Sequence, residues 1–212
     1  MKQNADSNWQ VEIDGGKSSD GKTIHKMLQR IVKGKNIFID EIRIDNLSRK
    51  NTIEFFDRLT KEGLGSPWQL EDIAHITLKR DEKFEPDEEE HDDTGEKEAT
   101  EEQLSGITQA VLEGKNLREN SFVHHAEESG YIFTAMTYIF ANTKAGNKLT
   151  FKAEFKGSPK IFEVCLENYQ QNDIEKESFE DALSSLDEKE NVKYRSIFWN
   201  NAKKIYDELR NM

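Results

Sequence analysis

From Tyr131 onward the hydrophobic pattern takes a period of two, and it does so three times in succession, over Tyr131 to Phe140, Leu149 to Phe155 and Lys160 to Leu166. That is the period of a strand, whose successive side chains point to opposite faces. The intervening segments, Asn142 to Asn147 and Lys156-Gly157-Ser158-Pro159, are too short for a crossover helix, so the three strands form an antiparallel meander. In the middle strand Leu149, Phe151, Ala153 and Phe155 share one side, and Lys148, Thr150, Lys152, Glu154 and Lys156 share the other. One face is to be covered and the other left in water.

Helical spacing supplies the cover. Tyr194, Ile197, Phe198, Ile205 and Leu209 predict a long final helix, and Phe179, Ala182, Leu183 and Leu186 predict another before it. Upstream, Ile24, Met27, Leu28 and Ile31 predict a helix from Thr23 that stops at Gly34, and Ile53, Phe56 and Leu59 predict one entered at Asn51. Ser66-Pro67-Trp68-Gln69 has the cap, proline and glutamine of a helix start and predicts a short helix through Ile73. Thr100 with Gln103, followed by Leu104, Ile107, Val111 and Leu112, predicts one more, ending at Gly114. Strands are expected at Trp9 to Ile13, at Ile37-Phe38-Ile39 continuing through Ile42 and Ile44 as a central strand, and at His75 to Leu78. The expected class is α+β: a mixed sheet, the C-terminal three-stranded antiparallel meander, and helices on one face, in a single domain over 1–212.

Charge is unevenly distributed. The 212 residues carry a net −12, but residues 85–103 hold eleven Asp or Glu against one Lys, and removing that −10 leaves −2 for the rest. A tract with self-repulsion and few apolar groups cannot offset the entropy of ordering, so residues 84–99 are expected to form a disordered acidic loop inserted between structured parts. No apolar run reaches the ~18 residues of a membrane span and the first residues lack a secretory h-region, which reads as a cytoplasmic protein. Cys165 is the only cysteine; it excludes an internal disulfide and reads as small core filler.

Gly16 to Thr23 matches the spacing of a glycine, four residues, then Gly-Lys-Thr, and so resembles the phosphate loop of P-loop NTPases. The resemblance implies that Gly16 and Gly21 open the backbone to an anion, Lys22 meets the terminal phosphates, and Thr23 with Asp40 holds magnesium, the cofactor being a Mg-nucleotide. The setting departs from that family: Val11-Glu12-Ile13-Asp14 is half polar, and the second half of the chain reads as antiparallel rather than as repeated βα units. A Gly/Ser/Asp loop before an amphipathic helix is the other reading. His75-Ile76-Thr77 resembles one half of the signature of the two-histidine phosphoesterases, but no second histidine is followed two positions on by Ser or Thr, so the acid–base pair is incomplete.

His124, Glu127 and Glu128 concentrate metal-capable groups before the meander, though His124 and His125, being adjacent, diverge on either a strand or a helix, and a polar loop is the plainer reading. Lys148, Lys152 and Lys156 form a basic row on the wet face. Nucleic-acid platforms place stacking aromatics on such a face, whereas Phe151 and Phe155 belong to the opposite one. With no complete site, the favoured function is a non-catalytic intracellular interaction protein, a subunit or small regulator or inhibitor of a larger complex. Its partner is then another protein, with Lys148, Lys152 and Lys156 as the interaction face and no cofactor. The alternative is a nucleotide-binding protein or NTPase using Gly16 to Thr23 and Asp40. The sequence leaves the oligomeric state open.

Overall fold

The computed structural model describes residues 2–3, 9–10, 18–33, 35, 40–81, 104, 106–158, 160–173, 178–181 and 186–212. The acidic segment 84–99 lies outside them. Contacts gather the chain into two units, Met1–Glu41 and Ile42–Met212. In the first, strands β1 (Lys2–Gln3) and β2 (Trp9–Gln10) pair antiparallel, and helix α1 spans Ser18–Val32. The helix starts five residues before the expected Thr23. Two members of its apolar stripe, Met27 and Ile31, are exposed.

The second unit is α+β, with a six-stranded sheet and helices packed on one face. Helix α2 spans Arg49–Glu62; strands β3 (Trp68–Arg80) and β4 (Gln109–Glu113) precede helix α3 (Ser121–Glu128). Strands β5 (Tyr131–Asn142), β6 (Lys148–Lys156), β7 (Ile161–Asp173) and β8 (Ser178–Asp181) follow, and helix α4 spans Glu188–Arg210. The strand order is β4-β3-β5-β6-β7-β8, and every pairing is antiparallel. The sheet is therefore not mixed in the described residues; hairpin-length connections join β5 to β6, β6 to β7 and β7 to β8, where a parallel pair needs a long crossover.

Four local expectations are corrected. Residues 40–44 form no central strand: Arg43 makes a single bridge to Ile161, and Ile42 and Ile44 are buried on either side of it. Their alternation is real, but it serves two backbone hydrogen bonds to Lys160 and Phe162 at the sheet edge. Trp68 begins β3 instead of a helix, and Gln109–Glu113 is a strand where helical spacing was expected. Phe179 lies in β8, likewise not in a helix. In β3 the alternation is concealed by shifts of register between Leu70 and Asp72 and between Ile73 and His75. Short strands such as β4 and β8 hold too few residues for a period of two to outweigh a chance helical match.

The helices bury the faces their spacing dictates. Ser48, not Asn51, caps α2 by accepting the Asn51 N–H at 3.1 Å, and Thr52, Phe55, Phe56 and Leu59 follow at i, i+3, i+4 and i+7, all buried. Asp187 caps α4 by accepting the Glu190 N–H at 2.7 Å, and Phe198, Ala202, Ile205, Tyr206 and Leu209 are buried. Phe198 stacks on Phe151 of β6 at 4.9 Å, and Phe55 meets Phe162 edge-on at 5.3 Å. Each buried phenyl ring contributes about 1.5–3 kcal/mol of transfer free energy. The Tyr138 hydroxyl, fully buried, donates to the Phe56 carbonyl at 3.0 Å and fixes α2 along β5. Helices thus cover the side of the sheet that carries Leu149, Phe151, Ala153 and Phe155, as the alternation of β6 requires. The opposite side carries Lys148, Lys152 and Lys156.

Candidate functional site

The side of the sheet opposite α2 and α4 brings together residues that lie far apart in sequence. His75 of β3 pairs with Glu113 of β4 on one flank and with Thr137 of β5 on the other. Thr137 pairs with Lys152 of β6, and Lys152 with Cys165 of β7. Directly paired residues share a face. The row Glu113, His75, Thr137, Lys152, Cys165 therefore crosses five strands, at about 4.8 Å per step.

Two bulges shape this row. Ile73 and His75 pair with consecutive residues, Tyr138 and Thr137, which leaves Ala74 as an extra residue; likewise Leu166 and Asn168 pair with Phe151 and Thr150, leaving Glu167 extra. Without the first bulge Ile73 and His75 would face the same way. With it, Ile73 enters the core at 3% exposure and His75 turns to the open side. Ala74, His75, Glu113, Thr137, Lys152 and Glu167 line a shallow depression of about 360 Å³. Both bulge residues are among its walls.

The depression is polar, lined by one lysine and two glutamates beside His75 and Thr137. Its floor is Thr137, 7% exposed. The His75 Nδ1 is buried and has no hydrogen-bond partner among the described residues. The Lys152 ammonium lies 3.1 Å from Glu154, which also receives Lys156 at 3.4 Å. Cys165 is exposed, not core filler, because the inward places of β7 fall to Phe162 and Leu166 on even numbers. Its thiol is pushed above the ordinary cysteine range by burial and by Glu167, against the opposing pull of Arg195 and Lys152. A thiol so disposed is protonated at neutral pH and a poor nucleophile.

Of the residues singled out in the sequence, the structure joins His75 and Lys152 through Thr137 and separates the others. Lys148 pairs with Glu71 of β3 at 2.6 Å, so each of the three lysines touches a carboxylate, Lys152 and Lys156 sharing Glu154. Gly21, Lys22 and Thr23 are the fourth to sixth residues of α1, and Thr23 is exposed. A helix that begins at Ser18 commits the N–H groups from Gly21 onward to carbonyls four residues back, so within the helix the unshared N–H groups are those of Ser18, Ser19 and Asp20. Gly16 lies outside the described residues; Asp40 is exposed, next to Glu41, which pairs with His25 at 2.6 Å.

His124, Glu127 and Glu128 lie in α3, a helix capped by Asn120 instead of a polar loop. His124 and Glu128 are exposed, whereas Glu127 turns inward to Arg118 at 2.6 Å. Among the described residues no group of three His, Cys, Asp or Glu is placed to hold a metal ion. Nor is any described helix long and apolar enough to cross a membrane.

Sequence reasoning missed Glu113, Thr137, Glu167 and Ala74. Only register brings the first two to His75, and only bulges expose the last two, so the one available signal was that His75 and Lys152 both fall on outward positions of strands. No protein-family model, curated protein or solved structure matches this chain.

Proposed function

We propose that this chain is a non-catalytic intracellular interaction protein, a subunit or small regulator or inhibitor of a larger complex, that docks on a partner protein through the face of its sheet opposite α2 and α4. The observation that carries the reading is the balanced polarity of that face. Lys148 pairs with Glu71, and Lys152 and Lys156 share Glu154, with Glu113 and Glu167 as further carboxylates beside Lys152. A row of cations already matched by carboxylates offers little to a phosphate backbone, whose binding rests on release of counterions by unmatched lysine and arginine. A protein surface of alternating charge fits it better, since complementary potentials set register and exclude wrong partners. The shallow depression around Thr137 gives such a partner a place for one anchoring side chain.

The test is affinity capture from the native cell with wild-type chain and with Thr137→Arg and Lys152→Glu, variants that fill the depression or reverse one charge without touching the core. The reading expects one co-purifying protein, retained by wild type and lost from both variants while their circular dichroism is unchanged. Retention by both variants would dismiss this face as the docking surface.

A further inference from the structure

We infer that two copies of the chain join through their β4 edges, antiparallel about Val111, so that the six-stranded sheet of one continues into that of the other. This does not rest on the proposed function and concerns a different surface, the sheet edge.

The backbone sets the geometry. Among the described residues β4 is the last strand of the sheet, paired to β3 without a register shift. The Arg80 N–H donates to the Thr108 carbonyl at 3.0 Å, and the Gly114 N–H donates to the Ala74 carbonyl at 3.2 Å. In an antiparallel ladder the bonded residues alternate, so even-numbered residues of this stretch turn their backbone groups toward β3. Gln109, Val111 and Glu113 then turn theirs outward. Val111 is also one of few large hydrophobic side chains exposed among the described residues, at 54%. The edge carries none of the usual guards: no proline, no lysine and no bulge between Gln109 and Glu113.

The sequence of β4 fits itself. Overlaid antiparallel about residue 111, Val111 meets Val111, Gln109 meets Glu113, and Ala110 meets Leu112. The outward-turned residues meet only one another, so N–H and C=O groups match throughout. The amide of Gln109 donates to the Glu113 carboxylate, and no like charges oppose. Ala110 and Leu112 already pack against the core of their own copy and extend that apolar layer across the junction. Sliding the pairing by one step either way sets the Glu113 carboxylate against Val111 or Ile107, which disfavours those registers. Self-complementarity of shape, charge and hydrogen-bond parity about one residue is the requirement of a two-fold interface.

The test uses the purified full chain alone. In sedimentation velocity across a concentration series, wild type is expected to pass from monomer to twice that mass. Val111→Pro removes an outward N–H that β3 does not use, a substitution that edge strands accommodate. It should keep the circular dichroism spectrum and weaken dimerisation by about tenfold or more, the equivalent of losing one or two backbone hydrogen bonds. Paired residues of this type lie about 5.5 Å apart at Cα, within disulfide range. In a Cys165→Ser background, Val111→Cys should therefore oxidise to a covalent dimer, whereas Ala110→Cys, which faces Leu112, should not. A wild type that stays monomeric, a dimer unaffected by Val111→Pro, or equal crosslinking at 110 and 111 would each overturn the inference. A monomer whose β4 amides become protected only when a different protein binds would overturn it too.

Discussion

Arg118 grips Asp57 with two parallel hydrogen bonds, Nε to Oδ1 at 2.7 Å and Nη2 to Oδ2 at 2.8 Å, and thereby ties the segment before α3 to the outer side of α2. Its third nitrogen meets Glu127 at 2.6 Å, and its guanidinium lies 5.0 Å from the centre of the Phe133 ring. Arg49 of α2 also donates to the Glu127 carbonyl. One cation thus serves two carboxylates in a partly dry space. Burial works to lower the Arg118 pKa, but Asp57 and Glu127 outweigh it and the group stays charged.

Arg118→Met keeps the aliphatic stem and removes the charge. Deleting one partner of a buried pair costs roughly 3–5 kcal/mol; here about 2–3 kcal/mol is expected, because Asp57 can still reach water. The Glu127 carboxyl is already held above its ordinary pKa, first by burial and then by repulsion from Asp57, against the pull of Arg118. A raised carboxyl pKa stabilises the fold below the ordinary value and loses that contribution as pH climbs through the raised one. Removing Arg118 raises it further. The gap between wild type and Arg118→Met should therefore narrow from about pH 7 toward pH 4.5, the unperturbed glutamate value. Urea midpoints at the two pH values check this, and an equal gap at both would refute it.

Gly63→Ala tests how closely α2 and α4 approach. A Cβ at Gly63 would lie 2.6 Å from the Leu59 carbonyl oxygen and 2.8 Å from the Phe198 ring. Forcing that overlap is expected to cost about 1–3 kcal/mol in thermal denaturation. In combination with Phe198→Leu the total should be less than the sum of the single changes, since the smaller side chain yields part of the space.

Cys165 should alkylate slowly with iodoacetamide at neutral pH, its rate rising only above the pH at which a free cysteine responds. Glu167→Gln removes a charge that disfavours the thiolate and should shift that profile to lower pH; Lys152→Met removes one that favours it and should shift it higher. Opposite displacements in the two variants are the readout.

The pair Lys148–Glu71 is short, 2.6 Å, but Glu71 is 40% exposed. A double-mutant cycle should return no more than about 1 kcal/mol, and less in high salt. A larger coupling would mean that the open face contributes appreciably to the stability of the sheet.

The meander was legible because β6 alternates without interruption from Lys148 to Lys156, and α4 because its apolar residues keep one stripe over several turns. β3 was legible only at His75 to Leu78, since its irregularities at Glu71 and Ala74 interrupt the alternation before them while Ser66-Pro67-Trp68-Gln69 imitates a helix start. β4 was missed because Leu104, Ile107, Val111 and Leu112 satisfy helical spacing by coincidence. Of the candidate site, His75 and Lys152 drew notice for unrelated reasons. What unites them is Thr137, whose meaning lies wholly in which residues sit opposite it. Such pairings are fixed between strands, and no pattern within one strand carries them.

Ala74 and Glu167 each stand one residue beyond what the neighbouring strand can match. Excising either would let the flanking residues close up in their present order, with Ile73 and Leu166 still inside and His75 and Asn168 still outside. A single-residue deletion at a regular position, such as Ala153, would instead turn everything past it inside out. The molecule can therefore gain or lose length at these two points and reshape its outer surface while its interior stays as it is.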